Sequence, residues 1–156
     1  MSTATQAAPT GAVGTGIDPR APQFNAAVTL VVLVLALITV GSPIAIVLTA
    51  IQFALFAYGA VAGVTKTPHA AVFRRFIRPR LSAPDHLEDP APPRFAQAVG
   101  AIFTAVALIG LLADVPTLAV IALGFAVVAA TLNAFFRFCL GCEVYLLLRR
   151  LAPAGN

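Results

Sequence analysis

Uninterrupted apolar stretches, rather than alternating apolar and polar positions, dominate the pattern of this chain. Four stretches are free of charged residues and have about the 20 residues that a helix needs to cross about 30 Å of hydrocarbon. They cover residues 24–40, 43–64, 95–113 and 117–136. The link within each successive pair is only two or three residues long, so each pair is predicted to form an antiparallel helical hairpin.

Helices are the structure that these stretches allow. Backbone groups that face lipid must form hydrogen bonds within their own segment or within a closed barrel. A barrel requires many strands of alternating polarity, and that alternation is absent from these runs. The sequence therefore predicts an all-α membrane protein with four transmembrane helices arranged as two hairpin repeats.

Composition supports this prediction. Hydrophobic residues make up 60% of the chain and charged residues 10%, with a mean hydropathy of +0.94, whereas soluble domains are about 45–50% apolar and about 25% charged. We expect a disordered tail over residues 1–17, one transmembrane domain over residues 18–151 and a short tail over residues 152–156. The first tail lacks the basic start of a secretory signal and has little apolar bulk.

The basic residues predict the orientation. All ten fall on one side of the four-span arrangement: Arg20, Lys66, Arg74, Arg75, Arg78, Arg80, Arg94, Arg137, Arg149 and Arg150. Because basic residues are retained in the cytoplasm, we expect both termini and the long loop, residues 65–94, to be cytoplasmic.

An internal repeat accompanies the two hairpins. Residues 18–28 align without gaps on residues 89–99, and each segment has the pattern Asp-Pro-x-x-Pro before a helix. The pattern predicts a proline in the first helical turn, where its missing N–H has no cost. Two hairpins that enter from the same side would be parallel repeats related by an axis along the membrane normal.

Two cytoplasmic segments are predicted to form interfacial helices. Residues 68–78 combine an apolar face with arginines, and Arg74, Arg75, Arg78 and Arg80 are the predicted contacts to anionic lipid. An acidic protein partner is the alternative. Residues 143–150 form a second amphipathic segment. Nucleic-acid binding is not indicated, since topology accounts for the basic residues.

The sequence contains two cysteines, Cys139 and Cys142, directly after the fourth span. At this spacing they share a helical face and lie close enough for thiol–disulfide exchange. A structural disulfide is not expected in the reducing cytoplasm, so inert packing, redox exchange and metal binding remain open. For metal binding, His69 and His86 would complete a zinc-like set, although their spacing matches no zinc finger.

The spans themselves contain no Asp, Glu, Lys, Arg or His. Ion pathways and proton relays usually need such groups, so transport is disfavoured, and no cofactor is predicted. The remaining amides and hydroxyls are expected to form interhelical hydrogen bonds, with small residues such as Gly110 and Gly124 at helix contacts.

Three motifs carry a family resemblance: residues 16–20, the Glu-Asp-Pro segment 88–100, and Asn133-x-x-Phe136-x-Phe138-Cys139-x-Gly141-Cys142-Glu143. Together they resemble a bacterial, mostly actinobacterial, family of small membrane proteins described as a domain of unknown function. The chain also resembles a small associated subunit of the actinobacterial respiratory supercomplex, which joins a cytochrome bc complex to cytochrome oxidase. The resemblance implies a bacterial inner membrane and a thioredoxin-like or sulfur-transfer partner.

Two functional hypotheses follow. The first is a non-catalytic accessory subunit that packs against other membrane subunits and binds lipid. The second is a thiol–disulfide or sulfur-relay protein that uses Cys139 and Cys142 with a thioredoxin-like partner. The sequence slightly favours the first, because the cysteine pair lacks a cofactor or a second dithiol.

Overall fold

The computed structural model describes residues 16–152, within which six helices form a bundle without a β-sheet. Of the tails predicted over residues 1–17 and 152–156, residues 1–15 and 153–156 lie outside the described residues. The helices are α1 (Arg20–Ile38), α2 (Pro43–Ala62), α3 (Pro68–Val72), α4 (Ala91–Leu112), α5 (Pro116–Phe136) and α6 (Leu140–Leu151). Four of them, α1, α2, α4 and α5, are long and apolar enough to span a membrane. The predicted fold class is thus confirmed.

Both hairpins begin earlier than the apolar runs, because each helix starts within its Asp-Pro segment. Asp18 Oδ1 accepts the backbone N–H of Arg20 at 3.0 Å, and Asp89 Oδ1 accepts that of Ala91 at 2.8 Å. A carboxylate that binds a free N–H at this end of a helix also complements the helix dipole. Pro22 and Pro93 fall in the first turns, as predicted.

The tight turns between spans require left-handed backbone. Gly41 has φ of 94° and Asp114 has φ of 55°, the region in which glycine is unstrained and aspartate is tolerated. Each turn is followed by a proline at the first position of the next helix, Pro43 or Pro116. The turns therefore reverse the chain and restart the helix within a few residues.

The two hairpins pack side by side, with α2 against α4 and α1 against α5. Between α2 and α4, small and large residues alternate: Phe56 lies over Gly100, and the side chain of Gln97 lies over Gly59. A smaller apolar core is formed by residues from α1, α4 and α5: Leu33, Ala36, Ala107, Ala122, Leu123, Ala126 and Ala130.

The prediction that Gly110 and Gly124 lie at helix contacts holds for Gly110 but not for Gly124. A Cβ on Gly110 would come 2.9 Å from the backbone nitrogen of Ala119, so this glycine permits close approach of α4 and α5. Gly124 has nothing within 4 Å of the same point, so its expected helix contact is wrong within the described residues. A lone glycine in an apolar run does not reveal which face it occupies.

The repeat is visible as a pseudo-twofold relationship. Ile17 and Glu88 occupy the same position in the aligned repeats, and they pair with each other as an antiparallel bridge with N–H···O distances of 2.8 and 2.9 Å. Two equivalent segments that pair in this way lie about a local twofold axis. Gly16 and Ile17, which were predicted to belong to the tail, therefore pack on the loop, and Ile17 is buried.

The repeat continues into the side chains. Gln23 donates to the Ala134 carbonyl at 2.9 Å, and its counterpart Arg94 donates to the Ala60 carbonyl at 2.7 Å. Each of these residues thus satisfies carbonyls at the end of a helix in the other hairpin.

Aromatic contacts extend the repeat to a third element. The ring of Phe24 packs on Phe73 with centroids 5.9 Å apart, and its counterpart Phe95 packs on Tyr145 at 5.6 Å. Each repeat therefore consists of a hairpin and the short helical segment that follows it.

Candidate functional site

The cysteine pair lies at the junction between α5 and α6. The fourth span ends at Phe136, and Arg137 adopts a left-handed conformation with φ of 56°. The Phe138 N–H then closes the helix by binding the Leu132 carbonyl at 3.2 Å. This reversal places Cys139 at the start of α6, directly beside the end of the span.

The structure joins Cys139 and Cys142 in a disulfide, with their Cα atoms 5.2 Å apart. The predicted proximity of the two sulfur atoms is thus observed, although the sequence, which led us to expect a cytoplasmic location, predicted no structural disulfide. Both side chains are partly exposed. The two sulfur atoms are therefore close together, and the packed helices do not fully enclose them.

The local geometry of Cys139 is that of a helix N-cap. Its Sγ accepts the backbone N–H of Cys142 at 3.3 Å. An N–H directed at sulfur and the positive end of a 12-residue helix both stabilise negative charge on that sulfur. Glu143, in the first turn of the same helix, acts in the opposite direction.

The first repeat contains the same cap with different chemistry. Thr67 occupies the equivalent position before α3, and its hydroxyl accepts the N–H of Ala70 at 3.2 Å. The cap position alone is therefore served by an ordinary hydroxyl. The second sulfur, on Cys142, stands where the first repeat has the methyl group of Ala70, and capping does not require it. The additional feature of the second repeat is a dithiol.

Gly141, inside the cysteine motif, holds this junction against the bundle. A Cβ at this position would come 2.7 Å from both Cα and Cβ of Ala96 on α4. A side chain there would meet backbone that cannot rotate away. The glycine between the cysteines therefore allows α6 to lie directly on α4.

Two cavities meet at Cys139. The first, of about 340 Å³, includes Asp18, Thr67, Arg74 and Arg78 in its lining, and we call it the polar cavity. The second, of about 350 Å³, has no charged residue among its described lining residues, and we call it the apolar cavity. Five residues line both cavities: Asn25, Ala96, Gln97, Asn133 and Cys139. Cys139 thus borders a charged space on one side and an apolar space on the other.

Three amide side chains, those of Asn25, Gln97 and Asn133, line both cavities, and their hydrogen bonding differs from that of Gln52 within the bundle. Gln52 donates to the hydroxyl of Thr29 at 3.4 Å, which confirms the predicted interhelical bonding for that residue. By contrast, Gln97, which is 9% exposed as a whole residue, lines both cavities, and its side chain makes no hydrogen bond within residues 16–152. Sequence reasoning assigned these amides to helix packing and missed that Asn25, Gln97 and Asn133 line the same two cavities as Cys139, because the three come from α1, α4 and α5.

The predicted metal ligands are not collected at one place. Within residues 16–152, no three of the His, Cys, Asp and Glu side chains are grouped to hold an ion. His86 lies 3.7 Å from Glu88, on the loop that pairs with Ile17. Burial lowers the pKa of His69, the second residue of α3.

The loop arginines mostly contact the protein itself. Arg78 lies 3.5 Å from the buried carboxylate of Asp18. Arg74 donates to the Thr65 carbonyl and Arg80 to the Phe76 carbonyl. Arg75 is exposed. These contacts do not test lipid binding, but they show that part of the basic set stabilises the loop.

The predicted interfacial helix in this loop is divided. An α-helical segment, α3, continues as a π turn over Phe73–Ile77 and a 3₁₀ turn over Arg78–Arg80. Phe73 is buried at 2% exposure, whereas Phe76 is 56% exposed. The apolar face predicted as one surface therefore points partly into the bundle and partly outward.

Comparison with known proteins gave one family match. Residues 17–150 match the family described as Domain of unknown function (DUF4395). No curated protein and no solved structure showed a significant match.

Proposed function

Since the chain belongs to the family described as Domain of unknown function (DUF4395), we propose a function from its own geometry: it is a membrane-bound thiol–disulfide exchange protein. The observation that carries the proposal is the position of Cys139, which caps α6, lines both cavities and is bonded to Cys142. The partner is a soluble thioredoxin-like protein.

The exchange step balances without an added cofactor. A thiolate of the partner attacks Cys139 Sγ, a mixed disulfide forms, and Cys142 leaves as a thiolate that takes up a proton. The partner's second thiolate then attacks its own sulfur in the mixed disulfide, and Cys139 is released and protonated. The chain gains two electrons and two protons, and the partner's dithiol becomes a disulfide. The reverse sequence uses the Cys139 thiolate as the nucleophile.

The surroundings support attack at Cys139 rather than at Cys142. Cys139 borders the polar cavity, while Cys142 is absent from the described lining of both cavities. The Cys142 N–H directed at Cys139 Sγ favours the thiolate when the pair is reduced. All ten basic residues lie at this end of the bundle, so we assign it to the cytoplasm of a bacterium.

Single-thiol variants provide the test, because the chain has two cysteines in total. Cys142→Ser retains only Cys139, and Cys139→Ser retains only Cys142. Each purified variant is mixed with a single-cysteine thioredoxin that carries a thionitrobenzoate leaving group. Attack by the chain releases coloured thionitrobenzoate and leaves a mixed disulfide.

We expect release by Cys142→Ser to be at least about tenfold faster than by Cys139→Ser, a difference of about 1.4 kcal/mol in activation free energy. Mass spectrometry would locate the adduct on Cys139. Equal, slow release from both variants, at the rate of an unfolded cysteine peptide, would contradict the proposal.

The accessory-subunit role is the second candidate, and one observation favours it. Gly124 leaves an open notch on α5 beside the exposed ring of Phe125, where a helix of another subunit could approach closely. Native purification under mild detergent, followed by mass spectrometry, tests this role. Co-elution of respiratory or other membrane subunits in a fixed ratio that is lost in Gly124→Leu would support it, and recovery of the chain alone would contradict it.

A further inference from the structure

We propose that the apolar cavity is a binding site for a membrane quinone that exchanges two electrons with the Cys139–Cys142 pair. The proposal rests on the proposed exchange function and names the carrier that would reset the cysteine pair. It follows from three features of the cavity: its depth, the separation of its polar and apolar ends, and its contact with sulfur.

The cavity extends from the cysteine junction into the membrane level of the bundle. Its far wall includes Phe103 and Phe125, whose ring centroids are 6.0 Å apart. Phe103 lies about 12 Å beyond Phe95, where the apolar run begins, at about 1.5 Å per residue, which is somewhat less than halfway across about 30 Å of hydrocarbon. Phe125 is 61% exposed, so this end of the cavity reaches the outer, lipid-facing surface.

Most polar side chains of the cavity lie toward the other end, with Thr29 one helical turn deeper than Asn25. Asn25, Gln97 and Asn133 line the cavity beside Cys139, and the remainder of the described lining is mostly apolar. Gln97 is 9% exposed as a whole residue, and its side chain has no hydrogen-bond partner among the described residues. Because the Gln97 carboxamide lines the cavity, a ligand carbonyl would accept its N–H.

A quinone fits both ends of this space. Its carbonyl oxygens would accept hydrogen bonds from the amides, and its isoprenoid tail would leave past the exposed side of the Phe125 ring into lipid. A volume of about 350 Å³ lies in the usual range of small-molecule sites, about 300–1,000 Å³. A phospholipid acyl chain fills an apolar space equally well but leaves the three amides without partners.

The electron transfer balances. The reduced Cys139 and Cys142 thiols form one S–S bond and release two electrons and two protons. The two carbonyl oxygens of the quinone take up these electrons and protons and become hydroxyls. In the opposite direction, a quinol reduces the disulfide. No other oxidant or reductant is required.

The experiment uses the full chain in proteoliposomes, with its cysteines first reduced and the reductant removed. Decylubiquinone is added, and its absorbance and the protein thiols are followed together. We expect one quinone reduced for each disulfide formed, and none in the Cys139→Ser/Cys142→Ser double variant. Quinone reduction that proceeds equally in the double variant would overturn the proposal.

Two substitutions test the site itself. Gln97→Leu removes the unpartnered carboxamide, and Ala129→Leu fills the apolar cavity that Ala129 lines. Each should raise the decylubiquinone concentration at half-maximal rate about tenfold. Gly124→Leu is the matched control on α5, since Gly124 lines neither cavity and faces open space. An equal effect of all three substitutions would count against the site.

A binding measurement separates this proposal from the proposed exchange function. An azido-quinone is photoactivated with the double cysteine variant, and labelled peptides are mapped. Labelling of α4 and α5 that decylubiquinone suppresses, and that excess phospholipid does not, supports the quinone site. If labelling is absent or phospholipid suppresses it, while the Cys142→Ser variant still releases thionitrobenzoate, the quinone site is refuted and the exchange function stands.

Discussion

Gly141 lies against Ala96 so closely that a methyl group on Gly141 would come 2.7 Å from the Ala96 Cα. This contact fixes the start of α6 on α4 and hence the position of both cysteines relative to the bundle. The neighbour is backbone, which cannot rotate out of the way as a flexible side chain can.

We predict that Gly141→Ala destabilises the protein by about 1–3 kcal/mol, the usual cost of overpacking, and slows exchange at Cys139. Thermal unfolding in detergent and the thionitrobenzoate assay measure the two effects. Gly124→Ala is the control, because a Cβ there meets nothing within 4 Å. Its stability should be unchanged or higher, since alanine is favoured over glycine in a helix. Equal melting temperatures for both variants would show that α6 does not depend on this contact.

The capping role of Cys139 can be separated from its redox role, because Thr67 performs the same cap in the first repeat. In a Cys142→Ala background, which removes the disulfide from every sample, we compare Cys139, Cys139→Thr and Cys139→Ala. The threonine variant should be about 1 kcal/mol more stable than the alanine variant, the usual value of an N-cap. Both should be inactive in exchange.

Denaturant or thermal unfolding measures the stability of these variants, and the release assay measures their exchange activity. If Cys139 and Cys139→Ala are equally stable in this background, the sulfur–N–H contact contributes nothing to α6. Release that persists in Cys139→Thr would mean that the reactive thiol is not Cys139.

The sequence predicted the spans well because lipid imposes a length and a polarity that a continuous apolar run displays directly. The apolar runs alone place the starts of α1 and α4 too late, since Asp18 and Asp89 start these helices before the runs, whereas the Asp-Pro-x-x-Pro repeat predicted the proline in each first turn. The closeness of Cys139 and Cys142 was predictable because it depends only on their spacing along the chain. That Gln97 and Cys139 line the same cavities was not predictable, because it depends on how α4 packs against α6, and the role of Gly141 depends on the same packing.

The equivalent contacts of Gln23 and Arg94 predict that substitutions of Arg94 lower the stability of the protein in steps, one for each hydrogen bond lost. Arg94 donates to the Ala60 and Val61 carbonyls at 2.7 and 2.9 Å, while Gln23 serves one carbonyl in the other repeat. Arg94→Gln should retain one such bond, whereas Arg94→Leu loses both and leaves the last carbonyls of α2 without this partner. We expect Arg94→Leu to be less stable than Arg94→Gln by about 1 kcal/mol.

Thermal unfolding in detergent measures this difference, and Gln23→Leu provides the comparison in the other repeat. Equal stability of Arg94→Gln and Arg94→Leu would mean that water satisfies these carbonyls as well as the side chain does.

Asp18 predicts a dependence of stability on pH. The carboxylate is buried, and its side-chain hydrogen bonds with Arg20 lower its pKa below the ordinary 3.8, with Arg78 adding a smaller electrostatic effect. A group whose pKa is lowered by folding stabilises the protein fully above its ordinary pKa, and this contribution is lost as pH falls through the folded value. The stabilisation from Asp18 should therefore be present at neutral pH and disappear below pH 3.8.

Asp18→Asn retains an oxygen for the Arg20 N–H but does not titrate, so it should melt lower than wild type at pH 7. The two melting temperatures should converge as the pH falls below 3.8. A constant difference between them down to the lowest pH at which the fold persists would show that the ion pair at the start of α1 does not stabilise the fold.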